Sequence, residues 1–403
     1  MSATDGRGTR RTRRTRRTRE VFGAFLRLGL TAFGGPIAHI GYLREEFVTR
    51  RGWLDDRHFA RLLALCQFLP GPASSQLGFA IGLHRAGLRG ALAAFAGFTL
   101  PSALLMLAFA WLAPQLDTGP GAAAIHGLKL VAVAVVAHGL LGMARTLLPD
   151  ARHALVAVLA TALVLAVSAP WMQLGVVALG AVLGGLLLRP AARPAEATGN
   201  GVAHGGARRA ALAFAVLLAA AFLVPVSGGP SLVAICAAFV RAGALVFGGG
   251  HVVLPLLEAS VVAPGWLDAD TFLAGYGAAQ AVPGPMFTLS VYLGAQLGGS
   301  AGALAALVGI FLPGFLLLWA VLPWWDRVAT MPRARRTVAG VNAAVVGLLA
   351  AALVDPLWMQ GVGDWRDAVI AAVGFAILLA GRAPLWTVAW CVLASVGLEL
   401  AVA

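Results

Sequence analysis

The chain has 403 residues, of which 60% are hydrophobic and only 12% are charged, and its formal net charge at pH 7 is +13. A soluble domain carries about 25% charged residues, and the mean hydropathy here is +0.85. This composition excludes a soluble enzyme and indicates a polytopic membrane protein. Apolar runs of roughly 20 residues recur along the chain, and each can cross a hydrocarbon core of about 30 Å as an α-helix.

An Arg-rich arm occupies residues 1–20, with eight arginines between Arg7 and Arg19. Beside a membrane domain, such a block is typical of a disordered cytoplasmic segment that binds anionic lipid. An arm that binds nucleic acid is the alternative. The block lacks the apolar stretch and the cleavage site of a signal peptide. We interpret it as a topology signal that keeps the N-terminus in the cytoplasm, and we predict the lipid bilayer and no nucleic acid as its partner.

Apolar segments follow the arm in chain order, and one linker divides them. Six of them precede the linker, at 21–47, 58–83, 88–113, 121–143, 152–169 and 171–188. The linker, 189–208, is rich in Pro, Gly, Ala and charge. An extra transmembrane helix is predicted at 209–226, and six further segments follow, at 231–257, 271–298, 302–324, 337–354, 367–381 and 384–402. The sequence therefore predicts an all-α polytopic membrane protein with two membrane repeats, 21–188 and 231–403.

The two sets of segments share four motifs in the same order. The first set reads FLRLGLTAFGG, WLDDRHF, QFLPGP and GFTLP, and the second reads FVRAGALVFGG, WLDADTF, QAVPGP and GIFLP. Four matches in one order indicate a duplication. Because the extra helix is a single span, it turns the second copy upside down. The pattern thus predicts inverted-topology repeats with discontinuous helices, which are common in secondary transporters.

The positions of the arginines test this topology. With the N-terminus inside, most basic loops also fall inside, as the positive-inside rule requires. If every segment crossed the membrane, however, the basic loop 44–57 would lie outside and its acidic partner 258–270 inside. Both discrepancies disappear if the segments that flank each loop are re-entrant hairpins, whose half-helices of about 18 Å are too short to cross. Kinked spanning helices are the alternative.

The helix breaks are the candidate substrate-binding sites. A helix that begins in mid-membrane presents unpaired N–H groups and the positive end of its dipole, which suits an anion. Glycine there allows close backbone approach, although it can equally serve tight helix packing. The candidates in the first copy are Gly34, Gly35, Pro36, Gln67, Pro70, Gly71, Pro72, Ser74 and Ser75. Those in the second copy are Gly248, Gly249, Gly250, Gln280, Pro283, Gly284, Pro285 and Thr288.

Ionisable residues inside the segments are further candidates, because charge within a membrane is functional by default. Arg27 and Arg241 occupy equivalent positions, and either can instead extend to the membrane surface. Lys129 is the only lysine, and Asn342 is its counterpart in the second copy. We expect these four residues to help bind an anion.

Two histidines near the breaks, His39 and His251, are candidates for carrying protons, since the ordinary pKa of histidine lies near 6.5. Each can instead be a hydrogen-bonded packing residue. The three cysteines, Cys66, Cys236 and Cys391, show no metal-ligand spacing. We predict no catalytic residue, no metal site and no cofactor.

The longer motifs resemble the chromate ion transporter family. FLRLGLTAFGGPIAHIGYLREEFV and WLDDRHFARLLALCQFLPGPASSQLGFAIG are similar to its first half. VFGGGHVVLPLLE, WLDADTFLAGYGAAQAVPGP and GVNAAVVGLL are similar to its second half, so the resemblance covers nearly the whole chain after the arm. One departure is that GGP in the first copy is GGG in the second.

The resemblance implies a secondary transporter of the bacterial inner membrane that exports chromate, with sulfate as a similar oxyanion, coupled to the proton gradient. We expect one anion between the two Pro-Gly-Pro breaks. A sulfate transporter or an uncoupled anion channel is the alternative, and an intramembrane enzyme would need a nucleophile–base pair or an HExxH-type metal set. The oligomeric state stays open, with a homodimer as one option.

Overall fold

A computed structural model describes residues 5–116, 118–167, 172–188, 206–225 and 229–402. Most of the predicted linker therefore lies outside the described residues. Across the described ranges the chain is helical and has no strand. The helices of the first repeat are α1 (Asp5–Thr31), α2 (Gly35–Arg44), α3 (Asp56–Phe68), α4 (Ala73–Leu112), α5 (Gly119–Leu147), α6 (Ala151–Ala166) and α7 (Met172–Leu187).

The extra helix is α8 (Ala207–Leu223), which begins inside the predicted linker. The second repeat contains α9 (Leu232–Leu245), α10 (Val253–Val261), α11 (Ala269–Ala281), α12 (Leu289–Val321), α13 (Trp325–Thr330), α14 (Pro332–Ala352), α15 (Met359–Gly361), α16 (Trp365–Leu379) and α17 (Pro384–Val402). Five described segments are long and apolar enough to cross a membrane: Ala73–Gln115, Gly119–Leu147, Met286–Thr330, Pro332–Gly361 and Pro384–Ala401. The chain is a multi-pass membrane protein.

The motif WLD begins a helix in both repeats. The Asp55 carboxylate accepts from the His58 backbone N–H at 2.7 Å at the start of α3. Asp268 accepts from the Thr271 backbone N–H at 2.7 Å at the start of α11. An aspartate in this position satisfies a helix donor that has no carbonyl partner. The repeated aspartate is therefore a helix cap, which explains its place in the motif.

Each predicted hairpin of the first repeat turns back on itself. The rings of Phe25 in α1 and Phe47 beyond α2 stack with centroids 4.6 Å apart. The rings of His58, at the start of α3, and His84, in the first part of α4, are 4.7 Å apart. Both chain segments therefore return to the level from which they started.

Helix α4 is two helices rather than one rod. It reverses at Ala86 and Gly87, where Gly87 has φ 68° and ψ −159°. Gly82 and Gly90 then face each other so closely that a side chain on either would meet the carbonyl oxygen of the other. Helix α12 reverses in the same way at Gly298 and Gly299. The reversals at Gly87 and Gly299 fall close to the boundaries between apolar segments that the sequence predicts.

The two repeats exchange their last helices. Helices α6 and α7 of the first repeat pack on α14 of the second, and α16 and α17 pack on α5. Glycine makes these contacts close: a methyl group on Gly184 would lie 2.7 Å from Cα of Gly340, and one on Gly127 would lie 2.7 Å from Cα of Val392. The repeats thus form one interleaved body.

The prediction of a disordered arm is wrong for residues 5–20, because α1 starts at Asp5 and continues unbroken to Thr31. This stretch contains no proline and many arginines, which are good helix formers. The apolar part of α1 packs on α4 and supplies the helical nucleus from which the arm continues. An ion pair of 3.2 Å between Glu20 and Arg85 fixes the point where the arm meets the membrane domain.

Candidate anion site at the broken helices

The Pro-Gly-Pro turns each meet a broken helix of the opposite repeat. The Gly71 N–H donates to the Val246 carbonyl at 2.7 Å, and the Gly284 N–H donates to the Ala32 carbonyl at 2.9 Å. We call residues 32–39 with 283–290 the first junction, and residues 246–251 with 70–76 the second junction. The breaks that the sequence predicts thus come together across the repeats in a crossed arrangement.

Glycine is required in both turns. Gly71 has φ +124° and Gly284 has φ +103°, a region that other residues rarely adopt. A methyl group on Gly71 would lie 3.1 Å from Cα of Gly314, and one on Gly284 would lie 2.8 Å from Oγ of Ser102. Each turn therefore lies directly against a long helix of the other repeat.

Helices that start at the junctions have no side-chain cap. This holds for α2 after Gly34, for α4 after Pro72, and for the short turns that lead into α10 and α12. The first N–H groups of such helices carry partial positive charge. By contrast, α3 and α11 of the same hairpins have aspartate caps. The junctions therefore concentrate unneutralised helix N-termini.

The second junction contains buried polar atoms that lack a partner. Gln76 donates through Nε2 to the carbonyls of Pro70 and Gly314, each at 2.9 Å. Its Oε1 and the Ser75 hydroxyl are buried without a hydrogen-bond partner in the part of the chain that the structure describes. An unpartnered buried polar group costs about 1–3 kcal/mol. These atoms favour a polar ligand between the helices.

The same is true at the first junction. His39 Nε2 lies 3.1 Å from the Ala32 carbonyl oxygen, whereas its Nδ1 has no partner among the described residues. The hydroxyl of Ser290, the second residue of α12, is fully buried and also has no partner among the described residues. The predicted candidate Thr288 is satisfied, because its hydroxyl donates to the Pro285 carbonyl at 2.8 Å.

A second group of polar side chains surrounds the glycines of the second junction. A methyl group on Gly248 would lie 3.5 Å from Asn342 Oδ1, an atom without a partner in the described ranges. His251 Nδ1 lies 2.8 Å from the Tyr276 hydroxyl. The structure thus brings the candidates Asn342 and His251 to the break at Gly248–Gly250.

The predicted cations are not at the junctions. Lys129 Nζ pairs with Asp270 Oδ1 at 2.7 Å, in the first turn of α11, about 16 Å of helix away from the turn at Pro283. Arg241 donates to the Ala221 and Val224 carbonyls at 3.1 and 3.3 Å, where α8 ends. Arg27 is exposed on α1. Lys129 is thus paired with a carboxylate and Arg241 with free carbonyls at a helix end, and neither cation lies at a junction.

The remaining candidates divide between the two environments. Gln67 is exposed in the last turn of α3, whereas Ser74 is buried within the second junction. Gln280 Nε2 donates to Met286 Sδ at 3.0 Å, a contact within its own turn. The backbones of Gly35 and Gly249 have positive φ and form the breaks themselves, with Pro36 in the first turn of α2.

Sequence reasoning missed several polar residues of the junctions. Gln76 lies four residues after the first Pro-Gly-Pro, and Ser290 lies five residues after the second. Thr99, in the repeated GFTLP motif, has a buried hydroxyl without a described partner. Tyr276 is one of three tyrosines in the chain and lies within an apolar helix. Polar residues close to each repeated proline were the available signal.

No group of three or more His, Cys, Asp or Glu side chains among the described residues is arranged to hold a metal ion. Cys66 and Cys391 are buried and Cys236 is half-buried, and all three are free thiols. The arrangement offers N–H groups, hydroxyls and amides, which bind an oxyanion through hydrogen bonds.

Comparison with known proteins finds relatives that are named as chromate transport proteins. The chain is 32% identical to a chromate transport protein of Pseudomonas aeruginosa over 382 residues, and this aligned region covers 92% of this chain and 87% of the relative. It is 30% identical to a probable chromate transport protein of Synechococcus elongatus, over 82% of each chain. A chromate transport protein of Cupriavidus metallidurans is 29% identical over 88% of this chain and 86% of its own. No solved structure matches.

The family model described as Chromate transporter matches this chain twice, at residues 19–186 and 233–398. The two matches coincide with the two sets of repeated motifs, so the predicted duplication is confirmed. Together they cover most of the chain, and this protein belongs to the chromate transporter family.

Proposed function

We propose that this chain is a secondary transporter that exports chromate, accepts sulfate-like oxyanions, and uses the proton gradient as its energy source. The family and the names of its relatives support the substrate class. The apolar helices support a location in the bacterial inner membrane, and the arginines before α1 support a cytoplasmic N-terminus.

The observation that carries this proposal is the crossed pair of junctions. Each combines uncapped helix N-termini with buried polar atoms that have no described partner, such as Ser75 Oγ and Ser290 Oγ. Isolated polar groups of this kind are costly inside a membrane. An oxyanion that accepts their hydrogen bonds removes that cost, and the helix dipoles favour its negative charge.

Chromate and sulfate are tetrahedral dianions, so their transfer into a hydrocarbon core is strongly unfavourable unless fixed dipoles replace water. The junctions supply dipoles from two directions, because a helix N-terminus of one repeat faces a Pro-Gly-Pro turn of the other. A site of helix ends and hydroxyls needs no lysine or arginine beside the anion. This fits the positions of Lys129 and Arg241 in other contacts.

We further propose that the repeats have inverted topology and that the broken segments are re-entrant hairpins. The ring of His58 lies against that of His84, and the ring of Phe25 lies against that of Phe47. Both contacts support hairpins that enter and leave the membrane on the same side. In inverted-repeat transporters the substrate lies where the discontinuous helices meet, and the repeats move around it. The crossed junctions would then open to opposite sides in alternation.

Uptake into everted membrane vesicles tests the proposal. Labelled chromate should accumulate in the lumen when the lumen is acidified, a protonophore should abolish the accumulation, and unlabelled sulfate should compete. Uptake that only equilibrates, with no response to the gradient, would indicate an uncoupled channel. Vesicles that take up no more chromate than vesicles lacking the protein would contradict the proposed function.

A further inference from the structure

The second junction contains a titratable pair that the first junction lacks. His251 lies in the turn Gly250–Val252, and its Nδ1 is 2.8 Å from the hydroxyl of Tyr276 in α11. Tyr276 is fully buried. At the equivalent positions the first repeat has Ile37 and Leu63. Among the described residues, a histidine ring bonded to a tyrosine hydroxyl therefore occurs in the second repeat and not in the first.

The histidine of the first junction is bonded differently. His39 Nε2 faces the Ala32 carbonyl, which can only accept, so this nitrogen must carry a hydrogen. A proton added at His39 Nδ1 would be buried without any partner in the described residues. Tyr276 instead offers a hydroxyl, which donates and accepts. His251 therefore has its Nδ1 held by this hydroxyl, and its Nε2 is not among the buried atoms of the described residues that lack a partner.

The ring of His251 lies at the boundary between the repeats. A methyl group on Gly139 of α5 would come within 2.6 Å of His251 Cδ2 and 3.1 Å of Nε2. The Cδ2 edge of the ring, with Nε2 next to it, therefore faces a helix of the first repeat, at a glycine that leaves room for the ring. A change of charge on this ring acts directly on the contact between the two halves.

The groups that face His251 are few. From α5 they are His138, which is close enough to influence the charge on His251, and Arg145 beyond it. From α11 there is Tyr276, and from α14 the uncharged amide of Asn342 lies beside Gly248. No carboxylate is among these neighbours, so a proton on His251 is not fixed by a permanent counter-ion.

We propose that His251 is the group that binds the transported proton, at Nε2, and that Tyr276 is the residue that positions its ring through Nδ1. In this assignment the Nδ1–H donates to the Tyr276 oxygen. Nε2 gains a proton from water on the outer side and releases it to water on the cytoplasmic side. The assignment rests on the proposed function and goes further by placing proton coupling in the second repeat alone.

The test compares two modes of transport in the same everted vesicles. Each pH unit of gradient supports about tenfold accumulation per coupled proton. For His251→Gln we expect that accumulation to be lost, and the exchange of labelled for unlabelled chromate that remains without a gradient to lose its dependence on pH. Thermal unfolding of the purified variant at the wild-type temperature shows that it is folded. Gradient-driven accumulation equal to that of the wild type, or exchange with the pH dependence of the wild type, would overturn the assignment.

Tyr276→Phe provides a second test that keeps the titratable ring. Loss of the acceptor for Nδ1–H destabilises the imidazolium, so the pH profile of driven uptake should shift to lower pH by about one unit. Tyr292→Phe is the matched control, because Tyr292 is also buried but stacks on Phe109 at 5.3 Å. An unshifted profile for Tyr276→Phe would overturn the positioning role. Wild-type vesicles without any chromate transport would instead refute the proposed function itself.

Discussion

At the residue scale, backbone groups and small side chains define the junctions, and charged side chains do not. Gly71 and Gly284 have backbone conformations that suit only glycine, and each donates its N–H across the repeat boundary. Ser75 and Ser290 bury hydroxyls that no described group satisfies. Such groups are costly in an empty fold, and binding an oxyanion is the gain that would offset this cost.

Lys129 gives the first prediction at this scale. Its side chain is only 14% exposed, but its ammonium pairs with Asp270, whose side chain is 64% exposed, and ion pairs open to solvent on one side contribute about 0–1 kcal/mol. Because the pair lies away from the junctions, Lys129→Met should keep chromate uptake within about fivefold of the wild type, a factor set by that small energy. Uptake in vesicles, corrected for the amount of protein, measures it. A loss of uptake of a hundredfold would restore Lys129 to the substrate site.

At the element scale, each repeat contains a pair of hairpins, but the loop that joins the pair carries different charges in the two repeats. In the first repeat Glu46 is buried and pairs with Arg50 at 3.1 Å and Arg51 at 2.7 Å. In the second repeat Glu258, where the chain leaves the apolar segment 231–257, has Asp355 as its charged neighbour. Burial and this neighbour raise the pKa of Glu258 to about 7. One hairpin loop thus holds a permanent ion pair and the other holds a carboxyl that titrates near neutrality.

The raised pKa predicts a pH-dependent stability. The folded chain binds the Glu258 proton more tightly than the unfolded chain, whose glutamate has a pKa near 4.5. The stabilisation is therefore present at low pH and is lost as the pH rises through about 7. Thermal unfolding in detergent should occur at a lower temperature at pH 8 than at pH 6, and Glu258→Gln should flatten this difference.

Glu45→Gln is the matched control, since Glu45 is the exposed equivalent in the first repeat. It should unfold with the pH dependence of the wild type. If Glu258→Gln also retained the full difference between pH 6 and pH 8, the titration would belong to another group.

The helices and their breaks were predictable, because local residues determine them. The repeated Gly-Gly and Pro-Gly-Pro stretches interrupt helices where the sequence places the breaks, and Asp55 and Asp268 begin α3 and α11. The partner of each break was not predictable, since hydrophobic pattern and motif order carry no information about contacts between distant segments. We expected one anion between the two Pro-Gly-Pro turns, whereas each turn bonds the other repeat's first break.

The contacts of Arg241 could not be predicted from the sequence for the same reason. Arg241 looked like an intramembrane charge, but it donates to carbonyls at the end of α8, a helix outside both repeats. Helix ends leave four carbonyls unsatisfied, and nothing in the charge pattern shows which end an arginine will reach. Likewise, only the fold brings Tyr276 to His251.

At the scale of the whole molecule, the exchange of α6 and α7 for α16 and α17 interlocks the repeats. Inverted topology and re-entrant hairpins predict that the loop 44–57 is cytoplasmic and that 258–270 is external. Cysteines placed at the exposed positions Thr49 and Ala263, after replacement of the three native cysteines, should react with a membrane-impermeant reagent from opposite sides. Labelling of both from one side would contradict the topology.

Equilibrium binding of labelled chromate to purified protein tests most directly whether the unpartnered polar groups of the junctions bind the anion. Ser75→Ala and Ser290→Ala each remove a buried hydroxyl that has no described partner. Ser260→Ala is the control, because the Ser260 hydroxyl already donates to the Leu256 carbonyl at 2.6 Å. Thermal unfolding of each variant, measured in parallel, reports on the fold.

A hydrogen bond to a charged group contributes about 1.5–3 kcal/mol, so affinity for chromate should fall about tenfold or more in each junction variant. The unfolding temperature should not fall, since no hydrogen bond within the protein is lost, and Ser260→Ala should bind chromate as the wild type does. Wild-type affinity in both Ser75→Ala and Ser290→Ala would contradict the claim.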